Sequence, residues 1–363
     1  MVLYRKYRPQ KLVDLDLIQT RDKLSKTLGS SYKPHAYLFF GPKGTGKTSA
    51  ARIVAKILNC EQNPTTPALR GASKELIEEI EPCNKCESCI AITEGRHLDV
   101  LEIDAASNRG IDEIRDLREK IRLAPVLGKY KVYIIDEVHM LTNDAFNALL
   151  KTLEEPPLHA VFILATTEVD KLPETIQSRA TKFSFRKADI NEVVHSLKRV
   201  IKGEKIEIDE ETLKIIAQQA DGSFRDATKI LEQALNQKAA TYKEMAAMLG
   251  MDAVSPEKFL LLLSKKETKT LLESIVVMGE KGTDLRLFTS LILNIFHLLI
   301  LENFQIKQDN LSKELKDVFS IQEVSQLIKL FSDVYRELKF ASRPEIPLET
   351  AVVEWCKGKE VEI

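Results

Sequence analysis

The chain has 363 residues, enough for two or three domains with a substantial core. Its 53 Lys and Arg stand against 54 Asp and Glu, a net charge of −1, so there is no global positive field and any nucleic-acid contact has to come from a local patch. Residues 1–7 are basic without the apolar stretch of a signal peptide, and the longest apolar run, residues 285–301, is broken by Arg286, Asn294 and His297; a buried helix, a cytoplasmic location and no membrane partner are expected.

The first candidate strand is Ala36–Phe40, a short apolar run. Gly41, Pro42, Lys43, Gly44, Thr45, Gly46, Lys47 and Thr48 follow it and fit G-x-x-x-x-G-K-[ST]; a helical pattern over residues 49–58 comes next. Strand before and helix after is the context this motif requires, and it disfavours the bland alternative of a glycine-rich turn that binds nothing. The glycines let backbone amides close around a β-phosphate, and the helix directs its positive end there. With ATP as ligand, Lys47 neutralises β/γ oxygens and Thr48 holds Mg²⁺, while Ser49 completes the set at the helix start.

Cys60 follows this helix, and Cys83-Asn-Lys-Cys86-Glu-Ser-Cys89 presents three more thiols on tight turns. Four thiolates suit a closed, structural Zn²⁺ site. Cys-x₂-Cys-x₂-Cys also opens a ferredoxin-like cluster run, but that run wants a nearby fourth Cys followed by Pro, which is missing. Zinc is preferred to iron–sulfur and to reduced free thiols. Between Cys60 and Cys83 lie 22 residues, of which 73–80 read as a short extra helix.

Apolar runs at 100–103, 132–135, 161–165 and 181–185 repeat the strand pattern, with helical patterns at 111–121 and 143–153 between them. That alternation implies a parallel sheet covered by helices. The run before Asp136 and Glu137 ends in two carboxylates. Downstream of a phosphate loop, Asp136 is expected to position Mg²⁺ and Glu137 to orient or deprotonate the attacking water. His139 reads as a hydrogen-bonded residue at a helix start. The strand over 161–165 runs into the hydroxyls of Thr166 and Thr167, which either reach a γ-phosphate or water or simply cap the strand. After residue 185 the strand signals stop. Helical patterns at 189–201, 209–220 and 223–237 make a lid-sized unit, and from about 242 the pattern is helical, including 256–263, 267–278 and 321–340.

Several strings together resemble the gamma/tau subunit of the bacterial DNA polymerase III clamp loader. They are Tyr4-Arg-Lys-Tyr-Arg-Pro9, His35-Ala-Tyr-Leu38, Leu101-Glu-Ile-Asp-Ala-Ala-Ser-Asn108, Asp136-Glu-Val-His-Met-Leu141, Phe146-Asn-Ala-Leu-Leu-Lys-Thr-Leu-Glu-Glu-Pro-Pro157 and Ala165-Thr-Thr167. The resemblance is dense from residue 4 to about 235 and looser beyond. It implies Thr166 as the sensor of the γ-phosphate, with Thr167 as second choice. Arg179 would be the arginine finger that reaches a neighbouring subunit's ATP, and Arg225 the second sensor, on the lid. By residue type alone both arginines are ordinary surface residues, although a guanidinium can bridge phosphate oxygens. Arg109, Arg115 and Lys151 fall where the family faces DNA; they would grip phosphates rather than read bases, the alternative being a solvated surface. The family's zinc module has the same order, one Cys and then Cys-x₂-Cys-x₂-Cys. Three features depart from the family: Ala180 where it has Cys after Ser-Arg, no Gly beside Leu17-Ile18-Gln19 near the adenine pocket, and the long cysteine spacer.

The expected architecture is α/β: a P-loop AAA+ parallel sheet with its cysteine module over 1–186, a helical lid over 187–242, and an all-α collar for oligomerisation over 243–363. The function implied by the resemblance is ATP-driven opening of the sliding clamp and its placement on primed DNA within the polymerase III holoenzyme. Partners would be other clamp-loader subunits, the clamp, primed DNA and the polymerase III core, the last through an extension absent here. No residues suggest a polymerase active site, so a polymerase label would describe the assembly. Two rivals are weighed. A branch-migration-type AAA+ helicase does not explain the cysteine module or the collar. A nucleotide-binding scaffold that does not hydrolyse should have lost Lys47, Asp136 or Glu137, and all three are present.

Overall fold

The computed structural model describes residues 2–30, 32–62, 80–107, 119–237, 241, 244, 254–306, 315 and 318–357. They fall into two compact units, Met1–Ile206 with Ala220–Glu232, and Glu207–Gln219 with Gln233–Ile363.

The first unit is built on strands β1 (Ala36–Phe40), β2 (Val100–Asp104), β3 (Lys131–Asp136), β4 (Ala160–Thr166) and β5 (Thr181–Ser184). All pair in parallel, in the order β2-β3-β4-β1-β5. The inner strands β1, β3 and β4 are buried nearly throughout, which is why each reads as an unbroken apolar run rather than an alternation. Phe40 lies in register with Thr166 and Ser184, and Asp104 with Asp136, so the strand ends that carry polar groups share one edge. In open parallel sheets that edge is where ligands bind.

One face of the sheet packs Leu38, Tyr133, Phe162 and Leu164 against Phe146 and Leu149 of the helix Asn143–Glu154. Thr142 caps that helix by accepting from Ala145 N at 3.3 Å, a contact worth about 1 kcal/mol. Phe183 stacks on Tyr37 and meets Phe39 edge-on, with ring centroids 5.9 and 5.5 Å apart. The helix Lys47–Asn59, continuous with the phosphate loop, is buried at almost every position. The lid helices stand at Ile190–Glu204, Glu210–Gln219 and Phe224–Asn236, the middle one within the second unit. A capping box starts the first of them: Glu192 N donates to Asp189 Oδ1 at 2.8 Å and Asp189 N to Glu192 Oε2 at 2.9 Å.

The second unit is helical throughout its described residues, with long helices at Thr268–Glu280, Leu285–Asn303, Ile321–Glu337 and Glu345–Lys357. The run Leu285–Asn303 is long and apolar enough to cross a bilayer. Here its Phe288 packs edge-on against Phe259 and its Phe296 against Phe331, inside this unit's core. The expected helices at 111–121 and 73–80 lie, but for their last residues, outside the described residues.

Candidate active site

The loop after β1 turns sharply. Gly41 has φ +145°, and a Cβ there would lie 1.9 Å from the carbonyl oxygen of Phe185. Gly44, at φ +76°, meets the lid, where a Cβ would lie 1.9 Å from Ser223 Oγ. Only glycine satisfies the backbone and the space at both positions. Lys47 Nζ donates to the carbonyls of Gly41 and Pro42 at 2.7 and 2.8 Å, so the ammonium is held at the centre of the loop. Burial pushes the Lys47 pKa down, and the nearby Glu137 and Asp136 only partly restore it.

The ends of β3 and β4 face this loop. Thr48 Oγ1 donates to Asp136 Oδ2 at 2.7 Å, joining the loop helix to β3. Glu137 follows in the left-handed region at φ +47°. Its Oε2 accepts from Thr167 Oγ1 at 3.0 Å and from Thr167 N at 3.3 Å. Thr166 is fully buried, and its Oγ1 accepts from Glu168 N and lies 3.0 Å from His139 Nδ1. His139 Nε2 is 3.3 Å from Glu168 Oε1 and its Nδ1 is 3.5 Å from Glu137 Oε2, so the ring stands between two carboxylates. Thr167 thus meets the candidate base directly, and Thr166 meets it through the histidine. Sequence gave His139 only a helix-start role; nothing local could signal a bond to a residue 27 positions away.

A cavity of about 380 Å³ opens between the phosphate loop and the carboxylates after β3; Thr166, Thr167 and His139 stand behind Glu137 and are not among its lining residues. Gly44–Thr48, Asp136 and Glu137 line one part of it, and Leu15, Leu17 and Val200 give it an apolar part. Arg225 lines it from the lid, its guanidinium 4.9 Å from the centre of the Tyr4 ring. Tyr4 and Arg8, also in the lining, were singled out by no chemical motif. Arg179 ends the helix Glu174–Arg179 and is not among the lining residues. It donates to Thr175 O at 2.8 Å and to Glu154 Oε1 at 2.6 Å, with its side chain 35% exposed. Lys151 is exposed on the helix Asn143–Glu154; Arg109 and Arg115 lie outside the described residues.

Cys60, Cys83, Cys86 and Cys89 converge, their sulfurs all within 4.8 Å of one another, and the group could hold a metal ion. Backbone N–H groups point at the sulfurs: Lys85 and Cys86 donate to Cys83 Sγ at 3.4 and 3.3 Å, and Cys83 to Cys60 Sγ at 3.4 Å. Burial raises the Cys83 thiol, but the N–H groups of Lys85 and Cys86, with the thiols of Cys86 and Cys60, outweigh it and bring its pKa to about 7. The group is tied to the rest of the unit. Lys56, fully buried, donates to Gln10 Oε1 and, at 3.0 Å, to Asn84 Oδ1. Glu81 accepts from Leu12 N and Val13 N, each at 2.8 Å.

A phosphate loop after β1, acids after β3, hydroxyls after β4 and a helical lid over them define a P-loop nucleotide site of the AAA+ class. Residues 18–189 match the family model for the DNA polymerase III, delta subunit, and residues 192–239 that for the DNA polymerase III clamp loader subunit, ATPase lid domain. The chain is 40% identical to DNA polymerase III subunit tau of Bacillus subtilis, over 98% of this chain and 63% of that protein. It is 35% identical to DNA polymerase III subunit gamma of Buchnera aphidicola, over 97% of both chains. With tau of Escherichia coli the identity is 42%, over 69% of this chain and 37% of that one. The chain belongs to the gamma/tau subunit family of the DNA polymerase III clamp loader. It spans less than two thirds of the tau proteins' length.

Proposed function

We propose that this subunit binds and hydrolyses ATP to open a sliding clamp and place it on primed DNA, in a complex with other clamp-loader subunits and the polymerase III core. The observation that carries the reading is the convergence of Lys47, Thr48, Asp136 and Glu137 on one lidded cavity. The phosphate-loop amides and Lys47 would take the β- and γ-phosphates, and Thr48 and Asp136, already hydrogen-bonded to each other, would hold Mg²⁺. The ion, when bound, neutralises charge developing on the phosphate oxygens. Glu137 would receive the proton of the attacking water, moving off Thr167 to do so. Thr166 and Arg225 are the candidate sensors of the γ-phosphate, from the sheet and from the lid. Arg225 rests on Tyr4, a cation–π contact that an incoming phosphate can replace.

Arg179 is assigned to a neighbouring subunit's ATP. Its exposure and its absence from the lining of its own cavity support this. Lys151, with Arg109 and Arg115, is assigned to DNA phosphates. The domain reading stays an ATPase domain over 1–186, a lid over 187–242 and a collar over 243–363. The four-cysteine group is assigned to structural Zn²⁺, because an all-sulfur donor set with backbone N–H groups turned toward the sulfurs suits a closed tetrahedral site. Nucleotide binding tests the reading directly. Wild type and Glu137→Gln should bind ATP alike and Lys47→Ala should not; equal binding by all three would remove ATP from this cavity.

A further inference from the structure

Asp16 lies between Leu15 and Leu17 in the segment that lines the apolar part of the cavity. Its side chain is 4% exposed, and both carboxylate oxygens are used. Oδ1 is 2.8 Å from His195 Nδ1 and Oδ2 is 2.5 Å from Arg199 Nη2. Arg199 Nη1 also donates to Asp14 O at 2.7 Å, so it grips the segment's backbone as well. His195 and Arg199 stand one turn apart on the lid helix Ile190–Glu204. Ser196 and Val200, the next residues along, line the cavity. Residues four apart share a face of a helix. One row of this helix therefore holds the segment while the adjacent row forms the cavity wall.

Asp16 is buried while Arg199 and His195 are 32% and 69% exposed, so withdrawing the lid helix would leave a buried carboxylate without its donors, and the pairing opposes that movement. We propose that Asp16 is a positioning residue for nucleotide binding. Through Arg199 and His195 it sets the spacing between segment and lid helix, holds the base-and-ribose end of the cavity at working width, and slows nucleotide release. This rests on the nucleotide reading given above. The phosphate end of the cavity is made by other residues, Gly44–Thr48, and should not feel the loss of Asp16.

The test is the release rate of fluorescently labelled ADP from the full chain, beside the affinity for tripolyphosphate, which has phosphates and no base. Asp16→Asn should release ADP about tenfold faster, between the effects expected of exposed and buried ion pairs, and leave tripolyphosphate affinity unchanged. Arg199→Gln should do the same, and the double variant should add little, because one contact is broken in each. Melting curves without nucleotide establish that each variant is folded. Unchanged ADP release in both variants, or parallel weakening of ADP and tripolyphosphate, overturns the proposal. If wild type binds no ADP, or Lys47→Ala binds it normally, the nucleotide reading itself fails and this inference falls with it.

Discussion

Glu137 occupies a left-handed backbone conformation that non-glycine residues rarely adopt, and its carboxylate is engaged by Thr167. Strain of order 1–3 kcal/mol at such a residue persists where the surroundings fix it, and that is a mark of functional positions. Glu137→Gln keeps the loop, Lys47 and Thr48 intact but cannot take a proton. Its turnover should fall about 10²- to 10⁴-fold with ATP binding preserved; near-normal turnover in a steady-state assay would mean that the base is another residue. Asp99 supplies a different residue-scale prediction. It is fully buried and accepts from Val126, Leu127 and Gly128 N–H groups, with Leu127 N at 2.7 Å. Burial raises its pKa, but the three donors win and the net shift is downward. A depressed carboxyl contributes stability that is present above its unfolded pKa of about 3.9 and is lost as pH falls through the folded value. Asp99→Asn should therefore cost about 1–3 kcal/mol at pH 7, and the gap to wild type should close below pH of about 4. A pH-independent gap in urea melts would assign the cost to packing instead.

At the scale of elements, what the sequence discloses depends on how local the cause is. β1, β3 and β4 are legible because two-sided burial demands unbroken apolar runs, and the phosphate loop because its parts are contiguous. The helix Ile18–Leu28 was not legible: beside Leu24 and Leu28 it buries Thr20 and Ser25, so no apolar stripe marks it. The helix Glu87–Glu94 hides among the cysteines that cap it, Cys86 Sγ accepting from Cys89 N. The Asp16–Arg199 and Tyr4–Arg225 contacts join residues far apart in the chain, and no spacing rule reaches them. The cysteine element carries its own prediction. Protein purified without added metal should contain one zinc per chain by elemental analysis, and visible absorption with iron in its place would sink that assignment. Since Glu81 and Lys56 tie this element to Leu12, Val13 and Gln10, chelation should lower Tm by several degrees and also weaken ATP. Chelation without effect on either would leave the cysteines as reduced thiols.

For the whole molecule, the assignment of Arg179 makes hydrolysis a property of the assembly. An arginine supplied by a neighbour contributes about 10³-fold or more to rate. Arg179→Ala should keep ATP binding and lose stimulated turnover. Mixed with Lys47→Ala subunits, it should regain activity at junctions where an intact loop meets an intact arginine; a mixture that assembles yet never recovers argues against action in trans. For DNA, reversing the charge of Arg109, Arg115 and Lys151 together should weaken binding and flatten its salt dependence, since fewer counterions are released; an unchanged slope returns them to the solvated surface. The central claim, that ATP turnover here serves clamp loading, is tested most directly by the ATPase rate of the reconstituted loader with clamp and primed DNA, singly and together. The account predicts a rise with both present that is larger than with either alone and is absent in Glu137→Gln. A wild-type rate indifferent to clamp and primed DNA would contradict it.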